Sequence, residues 1–144
     1  MKKIENPWLH YEGYNCFGCC PTNSKGLQME FFEQGDEVVS VWRPLPDYQG
    51  WIDTLHGGIQ AALLDEIAAW AVMHFARLNG VTAKMEVRYH KPVMTTDDHL
   101  TLRAKITSQR GPLIGVTASL SDASDVECTT AEFTYFADKT KPFI

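Results

Sequence analysis

The chain has 144 residues, of which 44% are hydrophobic and 22% are charged, the balance of an ordinary globular protein. This length suits one compact domain and leaves little room for a second, so we interpret residues 1–144 as a single domain. The formal net charge of −5 argues against non-specific binding to nucleic acid, because no excess of Lys and Arg is available to neutralise phosphates.

The amino-terminal residues do not resemble a secretory signal, because Lys2 and Lys3 are followed by no apolar core. No uncharged run reaches the roughly 18 residues that a membrane span requires. Asp65 and Glu66 interrupt the longest apolar stretch. We therefore expect a cytoplasmic protein without a membrane partner.

Residues 1–26 are rich in Asn, Gly, Pro and Cys and show no clean period, which predicts an irregular amino-terminal extension. It contains Cys16, Cys19 and Cys20, which are too crowded for a disulfide framework. Cys16 and Cys19 form one CxxC pair, but a structural zinc site needs four ligands and no second CxxC is present. We expect these cysteines to pack the extension against the domain, without a metal site.

The first regular elements follow the extension. Residues 27–33 and 37–43 are β-prone and are separated by the turn-like residues 34–36, which predicts a hairpin. Residues 44–54 contain two prolines and a glycine, so they predict a loop.

From Gly58 to Leu78 the chain is long enough for a helix, lacks proline and is rich in Ala and Leu. Its apolar residues cover nearly the whole circumference, which is typical of a helix wrapped by the rest of its fold. Asn79 and Gly80 provide the expected stop signal.

Four further segments alternate apolar and polar residues with a period of two, which predicts strands with one buried face. They are residues 82–91, 99–108, 113–121 and 127–137. In the first of them, the buried face is expected to hold Ala83, Met85, Val87 and Tyr89. Short turns favour antiparallel pairing. The predicted class is α+β, with one long central helix wrapped by a curved, largely antiparallel sheet.

Two adjacent acids, Asp65 and Glu66, lie inside the apolar helix. Removing a lone carboxylate from water costs several kcal/mol, so each acid needs a partner or a cavity. At helical spacing the neighbours of Asp65 are glycine and alanine, which leave room beside its carboxylate. The neighbours of Glu66 are bulkier, which suits an acid that reaches past the helix towards a partner or solvent. From the residues alone, a structural and a catalytic role for Asp65 both remain open.

The sequence His56-Gly57-Gly58 stands where the helix should begin. Glycines there allow a ligand to approach unpaired backbone N–H groups at the positive end of the helix dipole, an arrangement that suits a developing oxyanion. Gly57 and Asp65 are separated by about 12 Å of helical rise, too far for one helix to offer both groups to one carbonyl. Two helices from two subunits, antiparallel about a twofold axis, could do so, and we therefore predict a composite dimer site.

The run HGGIQAALLDE (56–66), followed by a strand and the Lys91-Pro92 turn, resembles hotdog-fold acyl-CoA thioesterases of the PaaI-like group over about residues 27–138. CFGCCPTNSKGL (16–27) is similar to a Cys-Phe-Gly-Cys extension found in some of that group. The resemblance implies a homodimer or homotetramer that hydrolyses a small acyl- or aryl-CoA thioester at subunit interfaces. It implies no metal and no bound cofactor, with coenzyme A entering as part of the substrate.

The resemblance also implies roles for individual residues. The Gly57 N–H would polarise the thioester carbonyl, and His56 would shape the turn. Asp65 from the other subunit would be the general base or the nucleophile. Thr82 falls near a Ser or Thr position that helps to hold water.

Relatives often carry an Asn six residues before the histidine, where this chain has Gly50. Gln49 is our candidate to replace it, and Gly58 and Glu66 complete the predicted substrate-binding residues. Two other functions remain open for this fold: a non-catalytic module that binds acyl-CoA, and a dehydratase, although dehydratases usually place an Asp–His or His–Glu pair differently.

Overall fold

A computed structural model describes residues 1–137 and residue 140, and shows one long helix packed against a curved seven-stranded sheet. The strands are β1 (Lys2–Lys3), β2 (Phe32–Gln34), β3 (Glu37–Trp42), β4 (Gly80–Tyr89), β5 (Leu100–Arg110), β6 (Leu113–Ser121) and β7 (Glu127–Ala137). Their order in the sheet is β1-β2-β3-β5-β6-β7-β4, and each neighbouring pair is antiparallel. The predicted α+β class is confirmed.

Helix α1 runs from Gly57 to Ala71 and continues as a π-helical turn, Val72–Ala76. It ends at Arg77, whose left-handed φ of 59° breaks the helical path. The end therefore comes before the predicted stop at Asn79, and Gly80 instead begins β4. By length and composition Gly57–Ala76 could cross a bilayer, but 50% of its apolar window is buried, because the helix packs along the concave face of the sheet.

The core lies between α1 and strands β5 to β7. The alternation predicted for β6 and β7 is confirmed, because the inward side chains of both strands are buried. They are Ile114, Val116, Ala118 and Leu120 on β6, and Ala131, Phe133, Tyr135 and Ala137 on β7.

The predicted first hairpin is present but short. β2 begins only at Phe32, and residues 27–31 are outside any strand, although Leu27, Met29 and Phe31 are buried in the core. The extension before them contains turns and the short strand β1, which the sequence did not reveal. It is packed into the fold, because Cys19 and Cys20 are both buried.

Strand β4 differs most from its prediction. Within the part of the chain that the structure describes it is an edge strand paired with β7 alone, and a bulge at Ala83 shifts the register between Thr82 and Lys84. The bulge places Thr82, instead of Ala83, on the face that is shared with Tyr135 of β7. The expected buried face is wrong for the single chain, because Met85 and Tyr89 are 43% and 53% exposed.

Candidate active site

The Asp65 carboxylate accepts hydrogen bonds from two hydroxyl groups of the sheet. Thr82 Oγ1 and the Tyr135 hydroxyl each lie 2.7 Å from Asp65 Oδ1, and both donate to it. Thr82 and Tyr135 are directly opposite one another in the β4–β7 ladder, so the bulge before Lys84 aims both hydroxyls at one carboxylate oxygen. The structure thus brings together Asp65 and Thr82, two residues that the sequence predicted to be functional.

Tyr135 is the partner of Asp65 that the sequence analysis missed. Burial of the ring raises its pKa above the ordinary value, and the negative charge of Asp65 raises it further. Tyr135 therefore remains a protonated donor, and its hydroxyl also lies 2.8 Å from the Asp65 backbone oxygen. Its position in an alternating buried strand signalled only a core residue, because nothing in that pattern shows where the phenol oxygen points.

The two oxygens of Asp65 are in different situations. Oδ1 accepts both donors, whereas Oδ2 has no hydrogen-bond partner among the described residues. Hydrogen bonds to Oδ1 fix the rotamer of the carboxylate and occupy that oxygen. Oδ2 is consequently the oxygen that can take a proton or attack a substrate.

The amino-terminal end of α1 carries the second predicted group. His56 is the N-cap, and its Nδ1 accepts the Gly58 N–H at 2.9 Å. The His56 backbone oxygen accepts the N–H of Gln60 at 3.0 Å. No acceptor in residues 1–137 engages the N–H of Gly57, the first residue of the helix. The cap thus occupies the Gly58 donor and leaves the Gly57 donor unused at the positive end of the helix.

Tyr89 of β4 holds this helix end in place. Its hydroxyl donates to the Gly57 backbone oxygen at 2.7 Å, and a Cβ added to Gly57 would lie 3.5 Å from its ring. Sequence reasoning assigned Tyr89 to a buried face and did not anticipate this contact.

The loop before the helix carries Gln49, a predicted substrate-binding residue, and its neighbour Gly50. Gln49 Oε1 accepts the Asp53 N–H at 3.1 Å, so its amide oxygen is engaged within the loop. Gly50 packs closely against His56, because a Cβ at position 50 would lie 3.2 Å from His56 Cα. The side-chain NH₂ group of Gln49 has no hydrogen-bond partner among the described residues and is available for a further contact.

Glu66 lies in different surroundings from its neighbour Asp65. Its Oε1 accepts the Trp70 indole N–H at 3.2 Å and lies 3.4 Å from the thiol of Cys16, in the amino-terminal extension. Glu66 therefore contacts the extension, and it shares no partner with Asp65.

One chain does not bring the free N–H and the free carboxylate oxygen together. Gly57 and Asp65 lie on the same helix, separated by about 12 Å of rise, and an Asp side chain cannot span that distance. Each group is nevertheless suited to catalysis. An amide N–H without an acceptor can stabilise an oxyanion. A carboxylate that is held through one oxygen can activate water with the other.

Comparison with known proteins identifies the family. No curated protein matches the chain. Among solved structures, it is similar to a thioesterase superfamily protein at 27% identity and a TM-score of 0.75, over 81% of this chain and 60% of the other. The chain thus spans about 60% of the length of that protein.

Two further structures share the fold. One is a hypothetical thioesterase from Streptococcus pneumoniae with coenzyme A, at 23% identity and a TM-score of 0.70, over 76% of this chain and 85% of that chain. The other, from Streptococcus mutans and bound to acetyl CoA, has 17% identity and a TM-score of 0.72, over 90% and 96%. The family model of the thioesterase superfamily matches residues 53–129, more than half of the chain. The chain belongs to the thioesterase superfamily and has its hotdog fold.

Proposed function

We propose that the protein hydrolyses an acyl-CoA or aryl-CoA thioester to the free acid and coenzyme A. The observation that carries the proposal is the Asp65 carboxylate, which is held through Oδ1 by Thr82 and Tyr135 and has Oδ2 free. Membership of the thioesterase superfamily supports this reaction. The coenzyme A and acetyl CoA found in two similar structures support this class of substrate.

The proposed chemistry needs only two groups from the protein. The Gly57 N–H donates to the thioester oxygen and stabilises the negative charge that develops there. Asp65 Oδ2 either takes a proton from an attacking water or attacks the carbonyl carbon itself and is released by water later. In both routes the C–S bond breaks, and the electron pair leaves with sulfur. A thiol pKa near 8.5 makes the thiolate an easy leaving group, so no strong general acid is required.

We further propose that each site is shared between two chains of a homodimer, which can assemble into a tetramer. The edge of β4 supports this arrangement, because Met85 and Tyr89 are exposed there and, among the described residues, the backbone of β4 pairs on one side only. A twofold axis beside β4 would set the two helices antiparallel. The Gly57 end of one helix would then face Asp65 of the other.

The proposal is tested by measuring steady-state hydrolysis of short, long and aromatic acyl-CoAs by the natural protein and by Asp65→Asn. This substitution keeps the shape of the side chain and its ability to accept from Thr82 and Tyr135, but removes the base. We expect kcat to fall by at least about 100-fold, with the dimer preserved in analytical ultracentrifugation.

Two outcomes would contradict the proposal. If Asp65→Asn retained full activity, Asp65 would not be the base. If the natural protein bound acyl-CoAs without turning any of them over, the chain would be a binding module of the same fold.

A further inference from the structure

A cluster of three metal-binding side chains lies where the amino-terminal extension crosses α1. The sulfurs of Cys16 and Cys19 and a carboxylate oxygen of Glu66 all lie within 4.8 Å of one another. Cys16 Sγ is 3.4 Å from Glu66 Oε1, although the two residues are 50 positions apart in the sequence. The fold, and not the CxxC spacing alone, therefore creates this cluster.

The two cysteines lie on one short turn, in which the Cys20 N–H donates to the Cys16 backbone oxygen at 3.1 Å. This turn holds both sulfurs beside the Glu66 carboxylate. Thiolate is the form of cysteine that binds metals.

Glu66 is held against this loop from two sides. Gly18 leaves the space that its carboxylate occupies, because a Cβ at position 18 would lie 2.4 Å from Glu66 Cδ. The Trp70 indole fixes Oε1 at 3.2 Å. Any other residue at position 18 would force this carboxylate away from the cysteines.

We propose that Cys16, Cys19 and Glu66 bind a thiophilic divalent cation, zinc in the first instance. Ligand atoms that share a tetrahedral zinc ion lie about 3.3–3.8 Å apart, as bond lengths of about 2.0–2.3 Å require. The 3.4 Å between Cys16 Sγ and Glu66 Oε1 falls in this range, and all three ligand atoms lie within 4.8 Å of one another. Both cysteines bind the ion as thiolates, so their protons are released to solvent on binding.

A fourth coordination position is open to water. A cleft of about 220 Å³ reaches the cluster and is lined in part by Trp8, Tyr14 and Met73. The Tyr14 hydroxyl lies 2.9 Å from Cys19 Sγ, on the cleft side of the site. Three protein ligands and one water complete the four-coordinate geometry that zinc prefers.

The three side chains repel one another when they are ionised, because a carboxylate and two thiolates are all negatively charged. A divalent cation removes this conflict, because it attracts all three groups. The bound ion would fasten the extension to α1 at the residue next to Asp65 and would take no direct part in the proposed hydrolysis, since neither cysteine contacts Asp65 or Gly57.

The test uses the full-length protein, purified under reducing conditions, stripped with a chelator and titrated with Co²⁺. We expect about one Co²⁺ per chain, with the thiolate-to-metal charge-transfer band and the visible d–d bands of a tetrahedral site. Zn²⁺ should displace the cobalt and abolish the bands. The protein as purified should contain zinc in the same ratio by elemental mass spectrometry.

Cys16→Ser and Cys19→Ser should each abolish the charge-transfer band or weaken Co²⁺ binding by at least about 100-fold, and Glu66→Gln should weaken it by at least about 10-fold. Cys20→Ser is the matched control, because Cys20 is buried nearby but interacts with Thr22 and the Tyr14 backbone oxygen. Circular dichroism checks that each variant is folded.

The proposal is overturned if the natural protein binds less than stoichiometric Co²⁺, or if Cys20→Ser lowers binding as much as Cys16→Ser. It is also overturned if mass spectrometry of the non-reduced protein shows a Cys16–Cys19 disulfide and the reduced protein binds no metal.

Discussion

The two ends of the functional stretch of α1 are built in opposite ways. At the amino-terminal end the proposed catalytic group is a backbone donor: the N-cap His56 accepts the Gly58 N–H, and no described residue accepts the Gly57 N–H. Two turns later the proposed catalytic group is the Asp65 side chain, which two hydroxyl groups of the sheet hold in place. The first end is pre-organised by the helix itself, whereas the second depends on partners that are distant in sequence.

The same contrast separates the adjacent acids. Asp65 is held by hydroxyl donors from β4 and β7, while Glu66 is held by an indole and a thiol on the other side of the helix. Adjacent side chains on a helix point about 100° apart. Asp65 and Glu66 therefore contact different parts of the fold. Adjacency in sequence therefore carries no implication of a shared site.

The largest effect is expected from removing the backbone donor at the amino-terminal end. Gly57→Pro deletes the N–H while keeping the helix, because Gly57 is the first helical residue, where proline is favoured. The extended conformation of His56, with ψ at 133°, also suits a residue before proline. We expect kcat for acyl-CoA hydrolysis to fall by about 10²–10³-fold.

Gly57→Ala is the matched control for this change, since it retains the N–H and its Cβ would make an ordinary 3.5 Å contact with Tyr89. Its kcat should stay near that of the natural protein. Equal losses in the two variants would show that space, and not the amide donor, matters at position 57.

A smaller effect is expected from loosening the side-chain end. Tyr135→Phe removes one of the two donors to Asp65 Oδ1, and Thr82→Val removes the other. Each should lower kcat by about 10-fold with little change in KM, the size of one hydrogen bond to a charged group. The measurement is steady-state kinetics on the best acyl-CoA substrate.

Thr82→Ser, which keeps the hydroxyl, should restore most of the activity lost in Thr82→Val. If Tyr135→Phe and Thr82→Val changed only the melting temperature and left kcat unaltered, these hydroxyls would be structural and would not position the carboxylate.

The features that depend on local sequence pattern could be predicted. Helix α1, the alternation of β5 to β7 and the cap at His56-Gly57 all follow from periodicity and composition. Asp65 was recognisable because a carboxylate in an apolar helix needs an explanation.

The features that depend on strand register and on contacts between distant segments could not be predicted from the sequence. The bulge at Ala83 exchanges the inward residue from Ala83 to Thr82, and a pattern with a strict period of two cannot show such a shift. Tyr135 and Glu66 acquire their partners only when β7 and the extension pack on the helix. Met85 is exposed although its strand alternates, because alternation shows that a face suits burial and does not show which surface packs against it.

The central claim, that each site combines the Gly57 end of one chain with Asp65 of another, is tested most directly by mixing two inactive variants. Asp65→Asn and Gly57→Pro are co-expressed with different tags, and mixed dimers are allowed to form. Each mixed dimer contains one site with an intact Gly57 and an intact Asp65, so random mixing should restore about a quarter of the natural activity. Mixed dimers with no more activity than either parent would show that both groups act within one chain, and would contradict the account.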